Sequence, residues 1–120
     1  MQKRILVVDD DEVNLMRTKR ILEKNYDVIL VESGAEALNT IKSEKIDLIL
    51  LDIAMPKMNG IETFKHIKDY PVEIPVIFLT ASGFEDDVVS AINMGAVNYL
   101  KKPFYPQELM KRVVKELEKK

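Results

Sequence analysis

Five apolar runs of strand length recur along the chain, each followed by a stretch with helical spacing. This alternation narrows the possible folds more than any other feature. The runs are Ile5–Val8, Val28–Val31, Leu48–Leu51, Val76–Leu79 and Val97–Leu100. They are read as continuous rather than alternating runs, the pattern of strands covered on both faces of a parallel sheet. Between them, Leu15, Thr18 and Leu22 share one helical face, as do Ala37, Leu38 and Ile41. Ile61, Phe64 and Ile67 form a third stripe, and Val88, Ala91 and Ile92 a weaker fourth. In the last stretch Pro106 suits a first helical position, and Leu109, Met110, Val113, Val114 and Leu117 repeat at helical spacing. Ser33-Gly34-Ala35-Glu36 is a capping-box pattern, in which serine and glutamate side chains satisfy free backbone N–H groups. Five such units with short connections predict an α/β fold: an open, doubly wound parallel sheet with helices on both faces.

The 120 residues suit one domain spanning 1–120, with no linker, repeat or low-complexity segment to divide it. A net charge of −2 gives no reason to expect attraction to nucleic acid or to a membrane. Without cysteine, disulfides and thiolate metal sites are excluded. The opening Met1-Gln2-Lys3-Arg4 leads into an apolar run too short for a signal-peptide core, so a cytoplasmic location is expected. The end at Glu118-Lys119-Lys120 reads as a solvated helix terminus and leaves open whether the chain is a whole protein or part of one.

In open α/β sheets, ligands bind beyond the carboxyl ends of the strands. The first run ends in Asp9-Asp10-Asp11, the third in Asp52 and the fourth in Thr80, while Lys101-Lys102-Pro103 follows the fifth. The second ends in Glu32-Ser33, which reads as a helix cap. Carboxylates gathered at one edge repel one another, by about 4 kcal/mol for two charges ~4 Å apart at an effective dielectric near 20. A hard divalent cation with oxygen ligands relieves that repulsion, and magnesium does so with few protein ligands. Asp11 either joins the cluster or caps the helix that starts near Glu12. Asp52 is followed by Ile53-Ala54-Met55-Pro56, a rigid turn, and a carboxylate so placed can attack phosphorus to form an acyl phosphate. Taken singly, Thr80 is a strand residue and Lys102 a surface lysine. Beside the acids, they supply the hydroxyl donor and positive charge that phosphoryl transfer requires. Lys102-Pro103 is a candidate cis peptide.

Along nearly its whole length the chain resembles the receiver domains of two-component response regulators. The resemblance rests on Leu6-Val7-Val8-Asp9-Asp10, Leu51-Asp52-Ile53 with Met55-Pro56 and Gly60, Leu79-Thr80-Ala81, Gly95-Ala96, and Tyr99-Leu100 with Lys102-Pro103-Phe104. It implies a flavodoxin-like sheet in strand order 2-1-3-4-5. It also implies that Asp52 accepts a phosphoryl group from a phosphohistidine on a sensor histidine kinase or a histidine phosphotransfer protein. Asp9, Asp10, Asp52 and the Ala54 backbone carbonyl would hold Mg²⁺, with Mn²⁺ as a substitute, while Lys102 and Thr80 meet phosphoryl oxygens. Tyr99 would be the switch aromatic, turning into space that Thr80 vacates. A downstream target would read the face built by the fourth helix, fifth strand and fifth helix. Such a domain is not an enzyme beyond catalysing its own phosphorylation and dephosphorylation. Asn59 stands where many relatives carry aspartate, which reads as a turn change before Gly60. The small residues Ala54 and Ser82 occupy variable positions that tune phosphate lifetime, implying a short-to-moderate one.

Three other readings compete. A haloacid-dehalogenase-type enzyme needs a second acid two residues after the nucleophile, where Ala54 stands. A flavodoxin-like cofactor binder needs a phosphate-cradling loop where this chain has three aspartates. A degenerate receiver would act as an interaction module without phosphorylation. His66, the only histidine, reads as a surface or half-buried helix residue, and Asp86 and Asp87 as acids suited to a helix start.

Overall fold

All five strand–helix units form. The computed structural model describes residues 2–55, 58–71, 73–81 and 85–118. Met1, Pro56, Ser82, Lys119 and Lys120, singled out above, lie outside the described residues, as does the side chain of Asp87. Strand β1 (Arg4–Val8) leads to helix α1 (Glu12–Leu22), β2 (Asp27–Val31) to α2 (Gly34–Ser43), and β3 (Leu48–Asp52) to α3 (Gly60–Lys68). Then β4 (Val76–Thr80) leads to α4 (Glu85–Asn93), and β5 (Asn98–Lys101) to α5 (Pro106–Leu117). All neighbouring pairs are parallel, in the order β2-β1-β3-β4-β5.

Side chains alternate across the sheet and feed two cores. Leu6, Val8, Ile49, Leu51, Val76 and Phe78 pack beneath α2, α3 and α4. Ile5, Val7, Leu48, Leu50, Ile77 and Leu79 pack beneath α1 and α5. Every residue of β3 and β4 is buried, which explains their unbroken apolar runs. Phe64 of α3 meets Phe78 of β4 edge to face at 5.3 Å, a contact worth about 1 kcal/mol beyond the area it buries.

The edge strands depart from the expected burial. Asp27 is exposed and Val28–Leu30 are half-buried in β2, and in β5 only Leu100 is buried. An edge strand has a neighbour on one side alone, so its covering layer is thinner. Strand β5 also starts one residue later than expected: Val97 is exposed and precedes it, although its N–H reaches the Val76 carbonyl at 3.1 Å. Asn98 interrupts what was read as a continuous run. In α4 the buried stripe is Val88 and Ala91, while Ile92 lies exposed. Gly95 closes α4 at φ 114°, a left-handed conformation that favours glycine.

Local signals set the helix starts. Ser33 caps α2 by accepting the Glu36 N–H at 3.2 Å, and the Glu36 carboxylate accepts the Glu32 N–H at 3.1 Å. Pro106 opens α5, with the Glu108 carboxylate accepting the Tyr105 N–H at 3.1 Å. At the amino ends of the strands, Arg4 pairs with Asp27 at 3.1 Å and Glu44 at 3.0 Å, and its N–H donates to the Asp47 carboxylate at 2.8 Å. The parallel order sends the connections after β1, β3, β4 and β5 to the opposite edge, where the polar residues collect.

Candidate functional site

Asp9 follows β1 directly and is buried, its N–H bonded to the Val31 carbonyl at 3.2 Å. One carboxylate oxygen, Oδ1, accepts the Asp11 N–H at 3.0 Å, and the other, Oδ2, accepts from Lys102 Nζ at 2.9 Å. Asp52 is the last residue of β3 and only 5% exposed. Its Oδ1 lies 3.5 Å from the same Lys102 Nζ. Asp10 is exposed beside them, and carboxylate oxygens of Asp9, Asp10 and Asp52 lie within 4.8 Å of one another. Asp11 caps instead of joining the cluster: its carboxylate accepts the Val13 N–H at 2.9 Å and Asn14 Nδ2 at 3.3 Å.

The electrostatics follow from two buried carboxylates, Asp9 and Asp52, sharing one ammonium. Burial pushes the Asp52 carboxyl up to about 6; the Lys102 charge opposes this, the Asp9 charge adds to it, and hydrogen bonds from Lys102 and the Ala54 backbone hold it down. Burial alone would lower the Lys102 ammonium. The Asp9 hydrogen bond and the charges of Asp52 and Asp9 outweigh it, holding its pKa above the usual value. The cluster therefore keeps excess negative charge in a largely dry site. An all-oxygen donor set of this kind fits a hard divalent cation such as magnesium.

Thr80 ends β4 and is buried; in register, Asp52 faces the residue before it, Leu79. The Thr80 hydroxyl donates to the Ala81 carbonyl at 3.1 Å, and no hydrogen bond joins it to Asp52 among the described residues. Tyr99, paired with Phe78 across β4 and β5, is 44% exposed. Thr80 and Tyr99 line a 380 Å³ pocket with Val88, Val89 and Ile92. Ala54 is exposed just beyond Asp52. The Lys102–Pro103 peptide is cis. His66 lies exposed on α3.

Three features were not read from the sequence. Asn59 does more than turn the chain: its side chain caps α3 by accepting the Glu62 N–H at 2.9 Å. Its place one residue before a glycine and three before a glutamate was the available signal. A Cβ on Gly60 would collide with the Asp52 carbonyl oxygen and lie 2.7 Å from Ile53 Cα, so α3 begins against the backbone of Asp52 itself. Lastly, Asn14, Arg17 and Thr18 of α1 line a 330 Å³ pocket with Asp9, Lys102 and Phe104. Their i, i+3, i+4 spacing marked a shared face, but not that this face looks onto the segment after β5.

A family profile described as the response regulator receiver domain matches residues 5–114. The chain is 43% identical over 114 residues to the alkaline phosphatase synthesis transcriptional regulatory protein PhoP of Bacillus subtilis, covering 94% of this chain and 48% of that protein. It is likewise 43% identical over 111 residues to the transcriptional regulatory protein CpxR of Escherichia coli, covering 92% and 47%. The chain thus spans about half the length of the curated relatives it matches. Among solved structures, a CheY-like response regulator receiver domain protein from Methanospirillum hungatei is similar at TM-score 0.90 and 36% identity, covering 98% of this chain and 95% of that one. A response regulator receiver domain protein from Clostridium thermocellum is similar at TM-score 0.90 and 31% identity, covering 96% and 94%.

Proposed function

The chain belongs to the response regulator receiver domain family, a signalling domain of two-component systems, and from that premise we propose that Asp52 is its phosphoacceptor. The observation that carries the proposal is Lys102 Nζ, held 2.9 Å from Asp9 and 3.5 Å from Asp52, with the Asp10 carboxylate in the same cluster. A carboxylate nucleophile thus has a fixed positive charge beside the position of an incoming phosphoryl oxygen.

In this reading an ionised Asp52 oxygen attacks the phosphorus of a phosphohistidine. The new O–P bond forms as the P–N bond breaks, and the imidazole leaves with the electron pair. Lys102 takes one phosphoryl oxygen, and the Thr80 hydroxyl turns from Ala81 to another. Asp9, Asp10, Asp52 and the Ala54 carbonyl would hold Mg²⁺ or Mn²⁺, which supplies charge neutralisation on the phosphoryl oxygens. The donor would be a sensor histidine kinase or a histidine phosphotransfer protein, neither of which needs a membrane segment here. No described helix is long and apolar enough to cross a membrane.

The output follows from the same residues. With Thr80 turned toward the phosphoryl group, the pocket it shares with Tyr99, Val88 and Ile92 gains room for the tyrosine ring. That movement reshapes the face of α4, β5 and α5, which a downstream target would read. A switch from mostly off to mostly on needs about 5.5 kcal/mol of differential interaction, and the aspartyl phosphate's added charge is the source of it.

The test is incubation with Mg²⁺ and acetyl phosphate, followed by intact mass measurement beside an Asp52→Ala control. The expected result is one phosphoryl adduct that needs Mg²⁺ and is absent from the control. If a phosphorylated kinase or phosphotransfer protein also leaves Asp52 unmodified, the proposal fails.

A further inference from the structure

We propose that Lys102 serves Asp9 as an internal counter-ion that a divalent cation must displace, so that cation binding hands the lysine over to Asp52. The inference rests on the reading above that the acidic cluster holds a cation, and it concerns how this chain's own residues make way for one.

Both oxygens of Asp9 are taken. Oδ1 accepts the Asp11 N–H at 3.0 Å and Oδ2 accepts from Lys102 at 2.9 Å. With the residue 2% exposed, solvent has little access to replace either partner. Asp10, by contrast, is exposed and has no hydrogen bond or ion pair among the described residues. A cation would therefore enter through Asp10. To reach Asp9 it must either share Oδ2 with the ammonium or take Oδ1 of the same carboxylate, and either way two positive charges compete for one buried carboxylate. Either the cation or the lysine has to yield, and by reciprocity whatever tightens one loosens the other.

The lysine has somewhere to go. Its contact with Asp52, at 3.5 Å, is too long for a strong hydrogen bond, so that acceptor is underused while Asp9 holds the ammonium. Lys102 also lines the 330 Å³ pocket beside Arg17 and Phe104, which gives its side chain room to swing. Release from Asp9 would leave Asp52 Oδ1, already 3.5 Å away, as an acceptor for the ammonium, with the other Asp52 oxygen left for the cation. Loading the metal and positioning the lysine become one event.

The experiment is calorimetric titration of the full chain with MgCl₂ for the wild type, Lys102→Gln, Lys102→Arg and Arg17→Gln. Lys102→Gln is expected to bind Mg²⁺ on the order of tenfold more tightly, the effect of removing one nearby unit charge. Lys102→Arg should stay close to the wild type. Arg17→Gln should also stay close, because Arg17 lines the pocket with no hydrogen bond or ion pair to Asp9 among the described residues. Unchanged or weaker binding by Lys102→Gln overturns the inference, as does equal tightening by Arg17→Gln, which would reduce the effect to general charge. On the wild type itself, the ¹⁵N ammonium resonance of Lys102 should move when Mg²⁺ is added; a resonance that stays in place also overturns it. Failure of both the wild type and Lys102→Gln to bind Mg²⁺ removes the cation reading together with the inference. Binding that Lys102→Gln does not alter removes the inference alone.

Discussion

Asp52 is a costly residue for the fold that carries it. Its carboxyl is pushed up to about 6 in the folded chain, against an unfolded value of 3.8, chiefly by burial. The folded state therefore binds its proton more tightly, and the stability this provides is fully present below about pH 4 and lost as pH rises through 6. Metal-free protein should fall behind an Asp52→Asn variant across that window, by about 1 to 2 kcal/mol at neutral pH, in urea unfolding with a chelator present. A wild type whose stability rose with pH relative to the variant would contradict this. Gly60 makes a different demand, since an added Cβ meets the Asp52 carbonyl and Ile53 Cα, both backbone atoms that cannot rotate aside. Gly60→Ala should cost about 2 kcal/mol in urea unfolding and slow phosphorylation of Asp52 by moving its peptide. The sequence made Asp9, Asp52, Thr80 and Lys102 legible because each stands at the end of an apolar run. It could not show that Lys102 lies closer to Asp9 than to Asp52, because that distance depends on side chains packed across three strands.

Among the elements, α3 shows how a cap and a close contact divide one task. The Asn59 side chain satisfies the Glu62 N–H, while the Gly60 N–H bonds the Ile53 carbonyl at 2.8 Å and ties the helix to the strand end. Asn59→Ala should lower stability by about 1 kcal/mol in urea unfolding, with the rate of Asp52 phosphorylation little changed. A large loss of phosphorylation would mean that the cap also positions the site. Helix stripes were legible where they face the sheet squarely: Leu15, Thr18 and Leu22 in α1 are its buried residues. In α4 the reading slipped at Ile92, because spacing identifies a face but not where the neighbouring layer ends. On α5, buried Glu116 had no signal in a pattern built from apolar positions.

For the molecule as a whole, a ligand that binds only the folded state raises its stability in proportion to occupancy. Saturating Mg²⁺ at about a hundred times its dissociation constant should add about 2.7 kcal/mol. The thermal midpoint should rise by several degrees in the wild type and much less in Asp10→Asn, as followed by circular dichroism. Equal responses would place the cation elsewhere. The central strands were legible because burial on both faces leaves unbroken apolar runs. The edges were misjudged because β2 and β5 have one neighbour each, and partial cover admits residues such as Asn98. Strand direction also has a practical consequence. Asp9, Asp10, Asp52, Thr80 and Lys102 all sit at the carboxyl pole, while the opposite pole carries the Arg4 contacts with Asp27, Glu44 and Asp47. Exposed ion pairs contribute little, so a cysteine placed at Lys45 or Glu73 would carry a fluorophore far from Asp52. With no native cysteine to compete for the dye, a single label there leaves the residues of the carboxyl pole untouched.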